Sequence, residues 1–279
     1  GDGFSQANTP TTDAVVVIMK WMSGDKMGAV QTAGEAVLNG QRNAPNAPAN
    51  PGAAEGTRPR GITPGSCEGV TAAGDHAKFT TCVQSNIQKF WSNQLGAKYT
   101  PSKLVLFTDR TTSGCGRAES ATGPFYCPAD AQVYIDLGFY NDLQTKLGAK
   151  GGEFAEAYVL AHEYGHHIQD VLGTERRVRA LQASRPSDRN ALSVKMELQA
   201  DCYAGVWGHA AFASGKVDAR EIADALDAAA AVGDDRIQRA ARGTVRPETF
   251  THGSSAERQR WFKRGMDSGN EASCNTFDP

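Results

Sequence analysis

Residues 152–173, GEFAEAYVLAHEYGHHIQDVLG, decide how the chain is read. Within them His162-Glu163-Tyr164-Gly165-His166 spells H-E-x-x-H. On a helix, side chains four apart point to nearly the same side, so both imidazoles can reach one ion. Glu163 projects about 100° round the axis from His162, near enough to handle a water on that ion without ligating it. Phe154, Tyr158, Ala161, Gly165, Ile168 and Leu172 recur at steps of three and four, an apolar stripe beside the histidines. Gly165 costs about 1 kcal/mol in a helix relative to Ala, which predicts a close backbone approach there. Gly173 closes the pattern as a C-cap.

The pentapeptide alone also fits a surface helix with two solvated histidines. A second stretch, Glu197-Leu198-Gln199-Ala200-Asp201, shifts the balance. It sits in another helical pattern, through Leu192, Met196 and Cys202 to about Phe212, with Ser187 or Asp188 as its cap. Glu197 offers one more carboxylate ligand, and Asp201 follows a turn later. Two His and one Glu leave the fourth tetrahedral position open, as a catalytic zinc requires. A ligand His usually donates its other N–H to a carboxylate, and Asp201 is placed for that. One Zn2+ per chain, on His162, His166 and Glu197, is the expectation.

The chain has 279 residues, 40% of them hydrophobic, enough for one substantial core or two small ones. A net charge of −2 gives no electrostatic case for nucleic acid or an anionic membrane. Basic clusters at Arg176-Arg177-Val178-Arg179 and from Arg258 to Arg264 read as solvated helix faces. The apolar run from Ala14 to Ile18 is far short of the roughly 20 residues that span a bilayer, and Lys20 interrupts it. The chain opens Gly1-Asp2-Gly3 without a Met, so processing or truncation is expected, with any targeting segment or anchor upstream.

Six cysteines, Cys67, Cys82, Cys115, Cys127, Cys202 and Cys274, stand outside the metal pattern and form no C-x-x-C. Read as disulfides, they imply an extracytoplasmic setting: secreted, periplasmic, or anchored facing outward. Buried thiols in a cytosolic enzyme are the alternative. Spacing favours Cys67–Cys82 and Cys115–Cys127, each closing a segment with little core of its own. Cys202 and Cys274 then remain. Cys202 is about 100° round the helix from Asp201, so it can face away from the metal and pin the tail. A closed loop of roughly seventy residues is worth about 4 kcal/mol in the chain-entropy model. The rival is a buried Cys202 thiol with Cys274 paired between chains.

Residues 1–65 read as an N-terminal extension, with an apolar patch from Val15 to Met22 followed by a Pro/Gly-rich linker over 40–65. Residues 66–279 read as the zinc-bearing domain. Its first helix runs from Asp75 to Leu95 on the stripe Phe79, Val83, Ile87, Phe90 and Trp91. Lys103–Phe107 and Gln132–Leu137 read as strands, with a turn-rich segment over 108–123 between them. The second strand is expected to be a sheet edge beside the metal helix, where an extended peptide can add, with Tyr126 and Tyr134 lining the cleft. The Arg-rich segment from Gly173 to Ser187 is ambiguous between helix and loop. Val217–Val232 and Asp235–Arg242 read as Ala-rich helices. Ser254-x-x-Glu257 is a capping box opening a last helix with Trp261 and Phe262. The class is α+β, mainly helical, with a small sheet and two metal-bearing helices.

Several motifs together carry a resemblance. They are Leu104-Val105-Leu106-Phe107, Cys115-Gly116, Gly123-Pro124-Phe125-Tyr126-Cys127-Pro128-Ala129-Asp130, Ala161 to His167, Glu197 to Trp207, Thr251 to Ser255 and Trp261-Phe262. Over roughly residues 65–275 the chain resembles the bacterial putative neutral zinc metallopeptidase family. The two metal stretches are also similar to those of zincin peptidases with a Glu as third ligand. The resemblance implies a zincin-like core with a substrate cleft between sheet edge and metal helices. By position it implies His162, His166 and Glu197 as zinc ligands, Glu163 as general base, and Asp201 as partner of His162. Members often carry an N-terminal membrane segment, so anchoring stays open.

The expected activity is hydrolysis of a peptide or protein substrate, with Glu163 moving the proton of a zinc-activated water. The oxyanion needs a further donor, for which His252 is the best candidate by type, with Tyr134 behind it. A structural hydrogen bond is the alternative for His252. His76, His167 and His209 have no partner motif and read as surface or packing residues. Two other readings of the whole stay open: a zinc hydrolase acting on a non-protein amide such as a cell-wall peptide, and a non-enzymatic module that keeps zinc for stability.

Overall fold

A computed structural model describes Cys67 and residues 69–277. The apolar patch at 15–22 and the linker at 40–65 lie outside the described residues, and with them the boundary near residue 65. Asp75 accepts the Lys78 amide and caps helix α1, His76–Leu95, which buries Phe79, Ile87 and Trp91. Strand β1, Lys103–Phe107, follows and pairs in parallel with β5, Gln132–Asp136.

β5 also pairs antiparallel with β4, Phe125–Cys127, so the strand order is β1-β5-β4. The expectation for β5 is corrected here. It is the central strand, buried from Val133 to Asp136, and offers no edge; the strands with a free side are β1 and β4. The segment read as turns holds an antiparallel hairpin, β2 (Arg110–Ser113) with β3 (Gly116–Glu119). Its strands carry Arg, Thr, Ser and Glu with no apolar alternation, so no period-two signal marks them.

From residue 139 onward the chain is helical: α2 (Phe139–Thr145), α3 (Glu153–Val171), α4 (Thr174–Ser184), α5 (Arg189–Ala213), α6 (Ala219–Ala231), α7 (Asp234–Arg242) and α8 (Ser255–Ser268). The architecture is thus mainly helical with a small sheet. The ambiguous Arg-rich segment is helix α4. α3 starts with Glu153 and Glu156 in its first turn, where carboxylates suit the positive end of the helix dipole. Gly173 takes the left-handed conformation just past its end (φ 75°). Residues 154–165 of α3 are buried on every side, because α1, α5, α6, β4 and β5 all pack on it. A helix enclosed in this way must be apolar all round, and Ala, Val, Leu and Tyr fill the turns between its polar groups. Among the described residues no helix is long and apolar enough to cross a membrane.

α5 and α8 make the closest helix contact. A Cβ on Gly205 would overlap the Phe262 carbonyl, and one on Gly265 would overlap the Cys202 carbonyl. Each glycine seats the other helix's backbone. The cysteines form Cys67–Cys82, Cys115–Cys127 and Cys202–Cys274, with Cα separations of 5.6, 5.8 and 5.5 Å. These are the pairs read from the spacing, and three such bonds suit an oxidising, extracytoplasmic environment. Cys202–Cys274 ties the tail to the middle of α5, on the flank that α8 covers.

Gly265→Ala tests the backbone contact. Ala gains about 1 kcal/mol of helix propensity but must push α5 and α8 apart, and overpacking of this kind costs typically 1–3 kcal/mol or more. A net loss in urea denaturation is expected; an unchanged or raised midpoint would contradict it.

Candidate metal centre

α3 and α5 cross where Gly165 meets Ala200. A Cβ on Gly165 would stand 2.8 Å from both the Cα and the carbonyl oxygen of Ala200. The missing side chain lets the two backbones close, and this brings His162 and His166 up to Glu197. His162 Nε2 lies 3.1 Å from Glu197 Oε2, and His166 Nε2 lies 3.5 Å from Oε1. Donor atoms of the three residues all fall within 4.8 Å of one another. Glu163, on the next position of α3, is also buried and lines the same cavity.

Behind this cluster is a carboxylate with no solvent exposure. Asp201 Oδ1 accepts from the Tyr158 hydroxyl at 2.6 Å and faces His162 Nδ1 at 2.8 Å. Arg258, itself buried, grips both oxygens, with Nε 2.8 Å from Oδ2 and Nη2 2.9 Å from Oδ1. Its Nη1 also donates to the Val232 carbonyl at 3.2 Å. Burial alone would push the Asp201 carboxyl up, but the charges of Arg258 and His162 hold it below the usual range. Asp201 is therefore an acceptor only, and His162 must present its proton on Nδ1, leaving Nε2 towards Glu197. Burial disfavours the charged His162 ring, yet Asp201 and the hydrogen bond to Glu197 outweigh it and raise His162 to about 9. The cluster draws positive charge.

Arg258 corrects the reading of its segment as a solvated face. It sits at three, four and seven residues from Trp261, Phe262 and Gly265, all buried on one side of α8. That spacing was the available signal, since Arg258 continues the apolar stripe. Arg176 and Arg177 are exposed as expected, while Arg179 pairs with Glu175.

His252 also lines the cavity. Its Nδ1 lies 3.1 Å from Asp234 Oδ1, and Asp234 Oδ2 accepts the backbone amides of Thr251, His252 and Gly253 at 2.7–3.0 Å. Asp234 thus holds the whole loop by one carboxylate, although the sequence reading starts that helix at Asp235 and does not single Asp234 out. Tyr134, the second candidate donor, is elsewhere. Its hydroxyl donates to Asp130 at 2.6 Å and its ring stacks behind Phe125, which lines the cavity while Tyr134 does not. Tyr126 does line the cavity, with its hydroxyl on Asp170 at 2.7 Å. His167 is buried on the Thr100 carbonyl, His209 binds the Met266 carbonyl and His76 pairs with Glu156, none of them at the cavity.

The cavity holds about 450 Å³ and is walled by α3, α4, α5, the segment from β2 to β4, and the loop before α8. A model of one family, described as putative neutral zinc metallopeptidase, matches residues 51–277. The chain belongs to that family. It is 51% identical over 205 residues to Uncharacterized protein YpfJ of Escherichia coli, covering 72% of this chain and 71% of that protein. It is 43% identical over 217 residues to Uncharacterized protein Rv2575 of Mycobacterium tuberculosis, covering 73% and 72%. No solved structure matches it. The family's description names zinc and peptide hydrolysis, and the His-His-Glu cluster is where such a metal has donors.

Arg258→Ala is expected to destabilise the protein by about 3–5 kcal/mol, because it leaves Asp201 buried without its counter-charge. Lys at 258 should recover only part of this, having no planar fork for two oxygens. Denaturation of chelator-treated protein checks both; a loss under about 1 kcal/mol for the Ala variant would contradict the account.

Proposed function

We propose that the chain is a zincin-type zinc peptidase that hydrolyses peptide bonds, with one zinc held by His162, His166 and Glu197. One observation carries the reading. Two imidazole Nε2 atoms converge on one carboxylate, with Glu163 on the same wall of a cavity. The donors suit the metal: two imidazole nitrogens, His162 releasing its second proton as the ion binds, and one oxygen are an open catalytic set, whereas a structural site would have four protein ligands. The charge suits it too. Arg258 is bonded to Asp201, which leaves the Glu197 and Glu163 carboxylates at the cavity wall for a divalent cation to offset.

Bound zinc would acidify a water and polarise the scissile carbonyl. The chain's own groups then have distinct tasks. Glu163 takes the proton of the attacking water and passes it to the departing amine. Asp201 fixes the His162 ring, and Arg258 and Tyr158 keep that carboxylate ionised and in place. His252, oriented by Asp234, donates to the carbonyl oxygen as negative charge builds there. β4 is the edge strand beside α3, and an extended peptide would add along it by main-chain hydrogen bonds.

Purified protein should carry near-stoichiometric zinc by elemental analysis, and His162→Ala or Glu197→Ala should deplete it. Full zinc in both variants would overturn the ligand set. Glu163→Gln should keep zinc and fold while hydrolysis of a peptide library, read by mass spectrometry with and without chelator, falls by about 10²–10⁴-fold. Near-native cleavage by that variant would remove Glu163 as the base.

A further inference from the structure

The two histidines of the cluster are oriented by different means. His162 leans on a charged carboxylate, whereas His166 leans on a neutral amide: its Nδ1 lies 2.8 Å from Gln169 Oε1. Gln169 has no solvent exposure. Its Nε2 lies 2.7 Å from the Met196 carbonyl and 3.1 Å from Gln199 Oε1. Gln199 is buried as well, and its Nε2 lies 2.9 Å from the Cys274 carbonyl.

Backbone carbonyls only accept, and this settles both amides. The Gln199 atom facing Cys274 must be the NH2, so its oxygen faces Gln169. The Gln169 atom facing Met196 must also be NH2, which agrees with the Gln199 oxygen on its other side. Turning either amide over would set two acceptors against each other in a buried place, at a cost of about 1–3 kcal/mol per orphaned group. Gln169 therefore presents its oxygen to His166. An imidazole whose Nε2 is given to a cation carries its remaining proton on Nδ1, on the Gln169 oxygen; without a cation the Glu197 carboxylate, 3.5 Å from Nε2, competes for a proton there.

We infer that Gln169 and Gln199 are positioning residues: they form a relay that starts at the Cys274 carbonyl and sets the tautomer of His166 for metal binding. The inference rests on the zinc reading above, since only a ligand needs that lone pair. The tail is fixed for the task. Cys274 is bonded to Cys202 on α5, and Thr276 Oγ1 donates to the Lys195 carbonyl at 2.7 Å. The chain's last described turn thus sets the orientation of a side chain far away in sequence. Glutamine suits the place because a carboxylate there would face the Met196 carbonyl and the Gln199 oxygen, both acceptors.

Two readouts test the relay without relying on turnover. The first uses Glu197→Ala protein, in which no carboxylate competes for the Nε2 proton, freed of zinc and held where imidazole is neutral, with 15N-labelled histidine. His166 should show the Nδ1–H tautomer, and an Nε2–H signal would overturn the relay. The second is zinc affinity by chelator competition. Gln169→Met should weaken it about 10–100-fold, and Gln199→Met should weaken it in the same direction. Wild-type affinity in a folded Gln169→Met protein would overturn the relay while leaving the zinc site intact. Should the unaltered protein itself fail to bind zinc, the metal reading falls first, and the tautomer measurement still judges the relay.

Discussion

Asp201 is the group on which the rest of the structure depends. It takes a phenol from α3, a guanidinium from α8 and an imidazole from α3, and itself sits on α5. A carboxylate stripped of water is costly unless its oxygens are filled, so these three helices must keep their present spacing for it to stay buried. The glycines meet that demand. Gly165 lets α3 down onto α5, and Gly205 with Gly265 lets α8 down onto the same helix. Close backbone packing and the buried ion pair are two sides of one constraint.

That constraint explains why the site stands where it does. His162 is one acceptor distance from Asp201 and one from Glu197, and both carboxylates ride on α5 a turn apart. Orientation of the ring and supply of the third donor therefore come from a single rigid element. His166 is supported from the other direction, through Gln169, Gln199 and the tail. The cavity is enclosed by parts with less regular structure, the hairpin and the loop held by Asp234, and these are the parts that suit variation in what is bound.

Much of this was legible in the amino-acid sequence, and what was missed has physical reasons. The helix carrying His162 and His166 announced itself through its stripe and spacing, and Gly165 through its cost in a helix. Glu197 and Asp201 followed from the four-residue step. The disulfide pairs followed from short separations and what then remained. The charge of Arg258 suggests solvent, although its position on the Trp261 stripe points inward, where the structure buries it. The β2–β3 hairpin buries a single small apolar side chain, Ala118, so no hydrophobic period exposes it. The sequence makes β5 look like an edge because β4 is only three residues long, too short to show alternation of its own. The Cys274 carbonyl leaves no trace in residue identity, being backbone. Gln169 could have been noticed, three positions past a candidate ligand on the same helix face.

The central claim is that a zinc ion joins α3 to α5. Diffraction from crystals of the protein, recorded just above and just below the zinc absorption edge, tests it most directly. The account predicts an anomalous peak that vanishes below the edge and lies within bonding distance of His162 Nε2, His166 Nε2 and a Glu197 oxygen. A zinc peak at other residues, or none between these three in zinc-supplemented crystals, would contradict it.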